Sequence, residues 1–148
     1  PCPCGYRGDW LQKCNCTPHA IDRYRRRFSG PLLDRIDLRV KMTRLDPDDL
    51  SGPPGESSAE VLQRVEAARK RQAHRGMLNR DLNRGALDAL AWDRHGERLL
   101  AKAVVDQRIT ARGWERVRRV AVTLGDLAES EVIAAAHVAE ALSFRGSE

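Results

Sequence analysis

All four cysteines of the chain lie within residues 1–16, in the stretch PCPCGYRGDWLQKCNC. They form the pattern C-x-C-x9-C-x-C, which pairs Cys2 with Cys4 and Cys14 with Cys16. The prolines and the glycine near its start predict a loop or knuckle rather than a helix. Four thiolates arranged tetrahedrally at about 2.3 Å are the standard ligands of a structural zinc ion. The pattern therefore predicts zinc bound by these four side chains.

Other interpretations of the cysteines stay open at this point. The spacing within each pair is tighter than in common zinc fingers, and isolated thiols or two disulfides also fit the sequence. A C-x-x-C redox motif does not occur, and nothing in the spacing favours an iron–sulfur cluster. His19 is close enough in sequence to substitute for one thiolate.

Composition limits the class of protein and its partners. With 41% hydrophobic and 32% charged residues, the 148-residue chain suits one compact domain or two small ones. No apolar run approaches the roughly 20 residues that span a bilayer, which predicts a cytoplasmic protein without a membrane partner. Thiols stay reduced in the cytosol, and this favours metal over disulfides. The net charge of +5 suits a partner that bears phosphates, although solvated arginines give the same total.

Helix signals dominate beyond the cysteines, with one exception. Thr17 and Pro18 predict a capped helix that ends near Phe28, and PLLDR predicts a single helical turn. Residues 36–42, IDLRVKM, alternate apolar and polar side chains, which predicts a half-buried strand. A lone strand needs neighbours for its backbone groups, so we expect its sheet partners to lie upstream of this chain.

Residues 43–57 are rich in proline, glycine, aspartate and serine, and they predict a connection between two domains. Ser57 and Glu60 then form a capping box for a helix that continues to about Arg75. Thr110 predicts the cap of a long helix to about residue 128, whose buried stripe is Trp114, Val117, Ala121 and Leu124. Further helices are predicted near residues 84–91, 94–107 and 133–144. The expected fold is mainly α.

Several motifs occur in order along nearly the whole chain: PCPCGYRGD, CNC, FSGPLLDRIDLRV, GESSAEVLQRVEAARKRQ, ITARGWERVRRVAVTLGDL and HVAEAL. Together they resemble the C-terminal part of the magnesium-chelatase-like AAA+ proteins of the ComM or YifB type. The resemblance implies that residues 1–50 are the end of an AAA+ α/β core, with a cysteine knuckle, an arginine-finger segment and one strand. It implies that residues 51–148 are the α-helical lid.

The resemblance also implies a function. Such a protein is a hexameric AAA+ ATPase that acts on DNA, in branch migration during recombination and natural transformation, with ATP and Mg²⁺ as its cofactors. The chain has no G-x-x-x-x-G-K-[ST] loop and no strand ending in paired acids, so we expect it not to hydrolyse ATP alone. Two alternatives remain: a magnesium-chelatase ATPase subunit, and a zinc-stabilised module that binds nucleic acid or protein without catalysis. Chelatase motor subunits lack the cysteine knuckle.

Two arginines match catalytic positions of the family. Arg35, in LLDRID, matches the arginine finger that reaches the γ-phosphate bound by a neighbouring subunit. The alternative is a structural role, in which Arg35 forms a salt bridge with Asp34 or Asp37. Arg112, in TAR, matches the sensor-2 arginine, which contacts the nucleotide and couples hydrolysis to movement of the lid.

The predicted lid helix has two further features. Arg116 and Arg119 fall on the same face as Arg112, so they line an interface or form a solvated face. Gly113 and Gly125 stand where the family usually has alanine. Because each glycine costs about 1 kcal/mol inside a helix, we expect a looser helix.

Two other groups of arginines are candidates for DNA contact. The run DRYRRRF combines basic and aromatic side chains, which suits binding to a nucleic-acid backbone and bases, although its arginines wrap around a helix. Its members are Arg23, Tyr24, Arg25, Arg26, Arg27 and Phe28. The helix at 58–75 adds Arg64, Arg69, Lys70, Arg71 and Arg75, and we expect most of these side chains to be solvated, although Arg64, Arg71 and Arg75 share a stripe.

Overall fold

The fold was determined as a computed structural model, which describes residues 2–27, 30–42, 45, 47–106 and 109–145. Phe28 and Gln107, where two predicted helices end, lie outside the described residues. The chain divides into two compact units. The first comprises Pro1–Ile36 and Val40–Pro53, and the second comprises Asp37–Arg39 and Pro54–Glu148. Within the described ranges, no helix is long and apolar enough to cross a membrane.

In its described residues, the first unit contains the cysteine loop and three short helices. α1 spans Pro18–Arg25, and the Thr17 hydroxyl accepts a hydrogen bond from the Ala20 N–H at 3.2 Å, as the sequence predicts for an N-cap. α2 spans Gly30–Asp34 and corresponds to the predicted single turn. α3 spans Pro47–Ser51, inside the segment predicted to be an irregular connection.

The predicted strand at residues 36–42 is absent from the described part of the chain, where this segment forms no ladder. The backbone N–H of Arg39 donates to the Phe144 carbonyl at 2.8 Å. Val40 and Met42 remain 64% and 85% exposed. An alternating pattern suits a sheet, but a strand forms only where neighbouring strands satisfy its backbone groups.

The second unit is helical, and local capping explains where its longest helices begin. α4 spans Ser58–His74, and Ser57 with Glu60 forms the predicted capping box. The remaining elements are a 3₁₀ turn at Asn79–Asp81, α5 at Arg84–Asp88, α6 at Arg94–Val105, α7 at Ala111–Leu127 and α8 at Ala135–Ser143. The Thr110 hydroxyl caps α7, as predicted, by accepting from the Gly113 N–H at 3.0 Å.

α7 is the central element of this unit and packs against α4, α5, α6 and α8. Val117 and Ala121 of its predicted stripe are fully buried, while Trp114 and Leu124 pack against the core from its edge. The largest side chains that are fully buried are Leu87, Leu100, Val117, Val122 and Val138. This apolar core fixes the orientation of α7 and of the arginines along it.

Gly113 lies in a closely packed part of α7. A Cβ atom added there would lie 3.2 Å from Nη2 of Arg145 and 3.4 Å from the Thr110 hydroxyl. Arg145 is only 6% exposed, so the missing side chain makes room for a buried guanidinium. The glycine therefore has a packing role in addition to its cost in helix propensity.

Candidate metal centre and arginine sites

The sulfur atoms of all four cysteines come together in the first unit, within 4.8 Å of one another. The Sγ of Cys4 lies 3.5 Å from that of Cys2 and 3.6 Å from that of Cys14. The four are free thiols, and these separations far exceed the roughly 2.05 Å of a disulfide bond. Sulfurs around a tetrahedral zinc with bonds near 2.3 Å lie about 3.8 Å apart. The cluster is therefore already close to the dimensions of a zinc–thiolate site.

The backbone of the loop turns the sulfurs toward one another. The Gly5 N–H donates to the Cys2 carbonyl at 3.1 Å, and Gly5 has a φ of 84°, which favours glycine. Backbone hydrogen bonds also reach the sulfurs, from Tyr6 to Cys4 and from Cys16 to Cys14. Amide donors of this kind stabilise thiolates and orient them as ligands.

The thiols of the cluster ionise unequally. The Tyr6 backbone N–H, helped by hydrogen bonds from the neighbouring thiols, lowers the pKa of Cys4 to about 6. A backbone hydrogen bond from Cys4 lowers the pKa of Cys16, but its hydrogen bond to the Cys4 sulfur, its burial and nearby Cys14 outweigh this and raise it to about 12. One thiolate is thus stable near neutral pH, while further ionisation is opposed. A divalent cation removes that opposition, and an all-thiolate donor set suits zinc.

His19, the possible substitute ligand, does not belong to the cluster. It is an exposed residue of α1, and the group of potential ligands in the described part of the chain consists of the four cysteines. The structure thus brings together Cys2, Cys4, Cys14 and Cys16 without this histidine.

Arg35 follows α2 directly and is exposed. Its backbone N–H donates to the Leu32 carbonyl at 3.0 Å, which closes the turn. Asp37, one of the two carboxylates considered as its partner, forms an ion pair with Arg116. The role of Arg35 as an arginine finger stays a prediction.

Arg112 is exposed in the first turn of α7, and the two arginines on the same face have partners inside the second unit. Arg116 binds Asp37, and Nε of Arg119 donates to the Leu82 carbonyl at 2.8 Å. The predicted stripe of Arg112, Arg116 and Arg119 is therefore not a solvated face, because Arg116 and Arg119 are bound to partners within the second unit. Its exposed member is Arg112, whose role as sensor 2 stays a prediction.

The arginines of the basic run are exposed on α1 and the residues that follow it. The guanidinium of Arg27 lies 6.0 Å from the centre of the Tyr24 ring, a distance at the limit for a cation–π contact. The described side chains of the run are Arg23, Tyr24, Arg25, Arg26 and Arg27, since Phe28 lies outside the described residues.

Two family models match the chain one after the other. The model described as "Magnesium chelatase, subunit ChlI" matches residues 1–50, and "Magnesium chelatase, subunit ChlI C-terminal" matches residues 55–145. The chain belongs to the magnesium chelatase ChlI family. This membership confirms the resemblance found in the sequence and places the chain in an AAA+ ATPase-like family with a mainly α C-terminal region.

Curated relatives of this ChlI-family chain include YifB and ComM. YifB of Escherichia coli is 37% identical over 150 residues, which are 98% of this chain and 29% of YifB. "Competence protein ComM" of Haemophilus influenzae is 35% identical over 134 residues, which are 87% of this chain and 26% of ComM. The chain thus spans less than a third of the length of these relatives.

A buried carboxylate that sequence analysis missed joins α4 to α7 in the part of the chain that matches the ChlI C-terminal model. Asp126 is 2% exposed, and its oxygens accept hydrogen bonds from both terminal nitrogens of Arg75 and from Nδ2 of Asn79. Arg71 donates to the Ser130 carbonyl at 2.8 Å, and its Nε lies 3.6 Å from the Asp126 carboxylate. Arg71 and Arg75, two members of the predicted stripe, are thus partly buried against α7.

Sequence analysis also missed the role of Arg118. This side chain is only 8% exposed, and its Nη1 lies 2.6 Å from the Asp88 carboxylate. Its guanidinium lies 4.7 Å from the centre of the Trp92 ring, a favourable cation–π distance. Arg118 is thus a structural residue that attaches α7 to α5 and to the segment that precedes α6. A local pattern gives no sign of it, since Asp88 is 30 positions away.

Substitution of Asp126 by asparagine is expected to lower the free energy of unfolding by about 3 kcal/mol, because it leaves the α4 guanidinium groups without their buried counter-charge. This loss is at the low end of the range for breaking a buried ion pair, because the side chains of Arg71 and Arg75 are 25% and 24% exposed. Glu56→Gln breaks an exposed pair with Arg64 and is the matched control, with an expected change below about 1 kcal/mol. Urea unfolding measures both variants; equal midpoints for them contradict a stabilising role of Asp126.

Proposed function

We propose that this chain is the C-terminal part of a hexameric AAA+ ATPase that acts on DNA, in branch migration during recombination and natural transformation. The observation that supports this best is the combination of two consecutive ChlI matches with a match to a protein named for competence over 87% of the chain. The positive net charge of +5 is consistent with a phosphate-rich partner.

In this proposal two arginines act on ATP. Arg35 is supplied to the nucleotide of the neighbouring subunit, where it stabilises charge that develops on the transferred phosphoryl group. Arg112 contacts the nucleotide from the lid and reports its state through α7. Both side chains are exposed, as contact with a ligand or a neighbouring subunit requires. ATP and Mg²⁺ are cofactors of the full-length protein, and this chain alone has no phosphate-binding loop to hold them.

The cysteine cluster serves as a structural zinc site in this proposal. Four thiolates fill a tetrahedral site and leave no position open for a substrate or water, which is the arrangement of structural rather than catalytic zinc. When bound, zinc cross-links the two ends of the loop from Cys4 to Cys14. The support for this assignment is the approach of all four sulfurs to within 4.8 Å.

The test uses the full-length protein, ATP and a labelled four-way DNA junction. ATP-dependent conversion of the junction into duplex products is expected, together with ATP hydrolysis that DNA stimulates. A non-hydrolysable ATP analogue and a linear duplex of equal length are the controls. ATP hydrolysis that DNA does not stimulate, without conversion of the junction into duplex products, contradicts the proposal.

A magnesium-chelatase motor is the second candidate, because both matching family models are described as chelatase subunits. The cysteine knuckle favours the DNA motor, since we expect chelatase motor subunits to lack it. A porphyrin-insertion assay with the partner chelatase subunits decides between them. Metal insertion that depends on the full-length protein supports the chelatase motor, and its absence together with junction movement supports the DNA motor. If the full-length protein does neither, the remaining candidate is a non-catalytic, zinc-stabilised interaction module.

A further inference from the structure

The loop between the two cysteine pairs exposes large apolar side chains to solvent. Residues 6–13, here named the knuckle tip, include Trp10 at 65% exposure, Leu11 at 61% and Tyr6 at 37%. Tryptophan is highly buried on average, and an exposed indole on a surface loop is typical of a contact with another molecule. Nothing in the proposed zinc site requires this side chain.

The knuckle tip has a fixed backbone that holds Trp10 outward. Its base is closed where the Cys4 and Cys14 sulfurs approach to 3.6 Å. Within it, the Asp9 carboxylate accepts hydrogen bonds from the backbone N–H groups of Leu11 and Gln12, both at 2.9 Å. The Asp9 N–H donates to the Tyr6 carbonyl at 3.1 Å. These hydrogen bonds restrict the conformations of the loop before binding, so the entropy cost of ordering it around a ligand of Trp10 is smaller.

The charges around the indole favour a polyanion as the ligand. Arg7 and Lys13 flank the exposed side chains within the knuckle tip, and Asp9, its acidic member, is already engaged by two backbone donors. The same unit contains the exposed arginines Arg23, Arg25, Arg26 and Arg27. Aromatic side chains among basic ones are the combination that binds single-stranded nucleic acid, through base stacking and phosphate contacts. A protein partner that bound only the apolar side chains of the knuckle tip would not require these positive charges.

We propose that the knuckle tip binds single-stranded DNA, with a base stacked on Trp10 and phosphates bound by Arg7 and Lys13. The strand must be single because the indole needs the open face of an unstacked base. The choice of DNA rests on the proposed function. The inference goes beyond it by naming the contact surface and the state of the strand.

The test measures binding of a fluorescent oligothymidylate to the zinc-loaded chain by anisotropy at several salt concentrations. Trp10→Ala is expected to weaken binding about 5- to 150-fold, the range for loss of one stacked base, with an unchanged salt slope. Trp10→Phe is expected to restore most of the affinity. Arg7→Ala combined with Lys13→Ala is expected to make the salt slope shallower. Leu50→Ala removes an exposed apolar side chain elsewhere in the same unit and is the matched control.

The outcomes separate the knuckle tip from DNA binding in general. One outcome is that Trp10→Ala binds as tightly as wild type while the double variant Arg25→Ala with Arg26→Ala loses affinity. This outcome contradicts DNA binding by the knuckle tip but supports DNA binding by the basic run. If the wild-type chain does not bind the oligonucleotide at all, DNA binding by the knuckle tip is also contradicted. The junction assay then tests the proposed function separately. If Trp10→Ala weakens binding to a duplex as much as binding to the oligothymidylate, stacking of Trp10 on a single-stranded base is likewise contradicted. Zinc content and circular dichroism of each variant exclude loss of the fold as the cause.

Discussion

Arg35→Ala in the full-length protein is expected to lower the rate of ATP hydrolysis by about 10³- to 10⁵-fold, the range measured for loss of an arginine finger. The guanidinium contributes mainly when negative charge develops in the transition state, so ATP affinity and assembly are expected to change little. Steady-state hydrolysis gives the rate, and binding of a fluorescent nucleotide gives the affinity. A large fall in rate at constant affinity distinguishes a catalytic group from one that only binds ATP.

A second measurement tests whether Arg35 acts across the subunit interface. Mixed assemblies of wild-type and Arg35→Ala subunits are expected to lose activity according to the number of interfaces that lack the finger. Arg64→Ala is the matched control, because Arg64 is an exposed arginine whose partner is Glu56 within α4 and its cap region. Arg64→Ala is expected to hydrolyse ATP at the wild-type rate. Wild-type turnover by Arg35→Ala would falsify the assignment of the finger.

The helices were predictable because their signals are local. Thr17, Ser57 and Thr110 were predicted as caps, and each accepts a backbone hydrogen bond at the start of its helix. A cap, a capping box and an apolar stripe involve residues within a few positions of one another, so they can be recognised in sequence. α3 was missed since Pro47–Ser51 consists mostly of residues that also favour turns.

The strand and the buried ion pairs depend on partners far along the chain. The alternation at residues 36–42 describes side chains suited to a sheet but says nothing of whether neighbouring strands are present. Asp126 and Arg75 are 51 positions apart, and a helix pattern cannot show that such residues meet. The cysteine cluster was the predictable part of the candidate site, because four thiols in two tight pairs have few arrangements that bring them together. The assignment of residues 1–50 to an ATPase core and 51–148 to its lid stays a prediction.

Removal of zinc is expected to unfold the cysteine loop of the first unit and to leave the helices of the second unit folded. In zinc-finger peptides, binding of a structural zinc supplies about 10–16 kcal/mol of folding free energy, so a loop this small has little other source of stability. The second unit instead has an apolar core around Val117, Val122 and Val138. A chelator is therefore expected to release one zinc per chain with little loss of helical circular dichroism. Hydrogen exchange should become fast at Gly5, whose N–H bonds to the Cys2 carbonyl, and stay slow at Val122.

Single substitutions identify the ligands and separate zinc from the alternatives. Cys14→Ser is expected to lose bound zinc at chelator concentrations that the wild type withstands, because a hydroxyl is a poor substitute for a thiolate. His19→Ala is the matched control and is expected to keep one zinc, since this histidine lies outside the cluster of sulfurs. Zinc affinity should fall as the pH falls, because protons compete for the thiolates. A chain that takes up no zinc and forms two disulfides under mild oxidation contradicts the metal site and restores the disulfide interpretation.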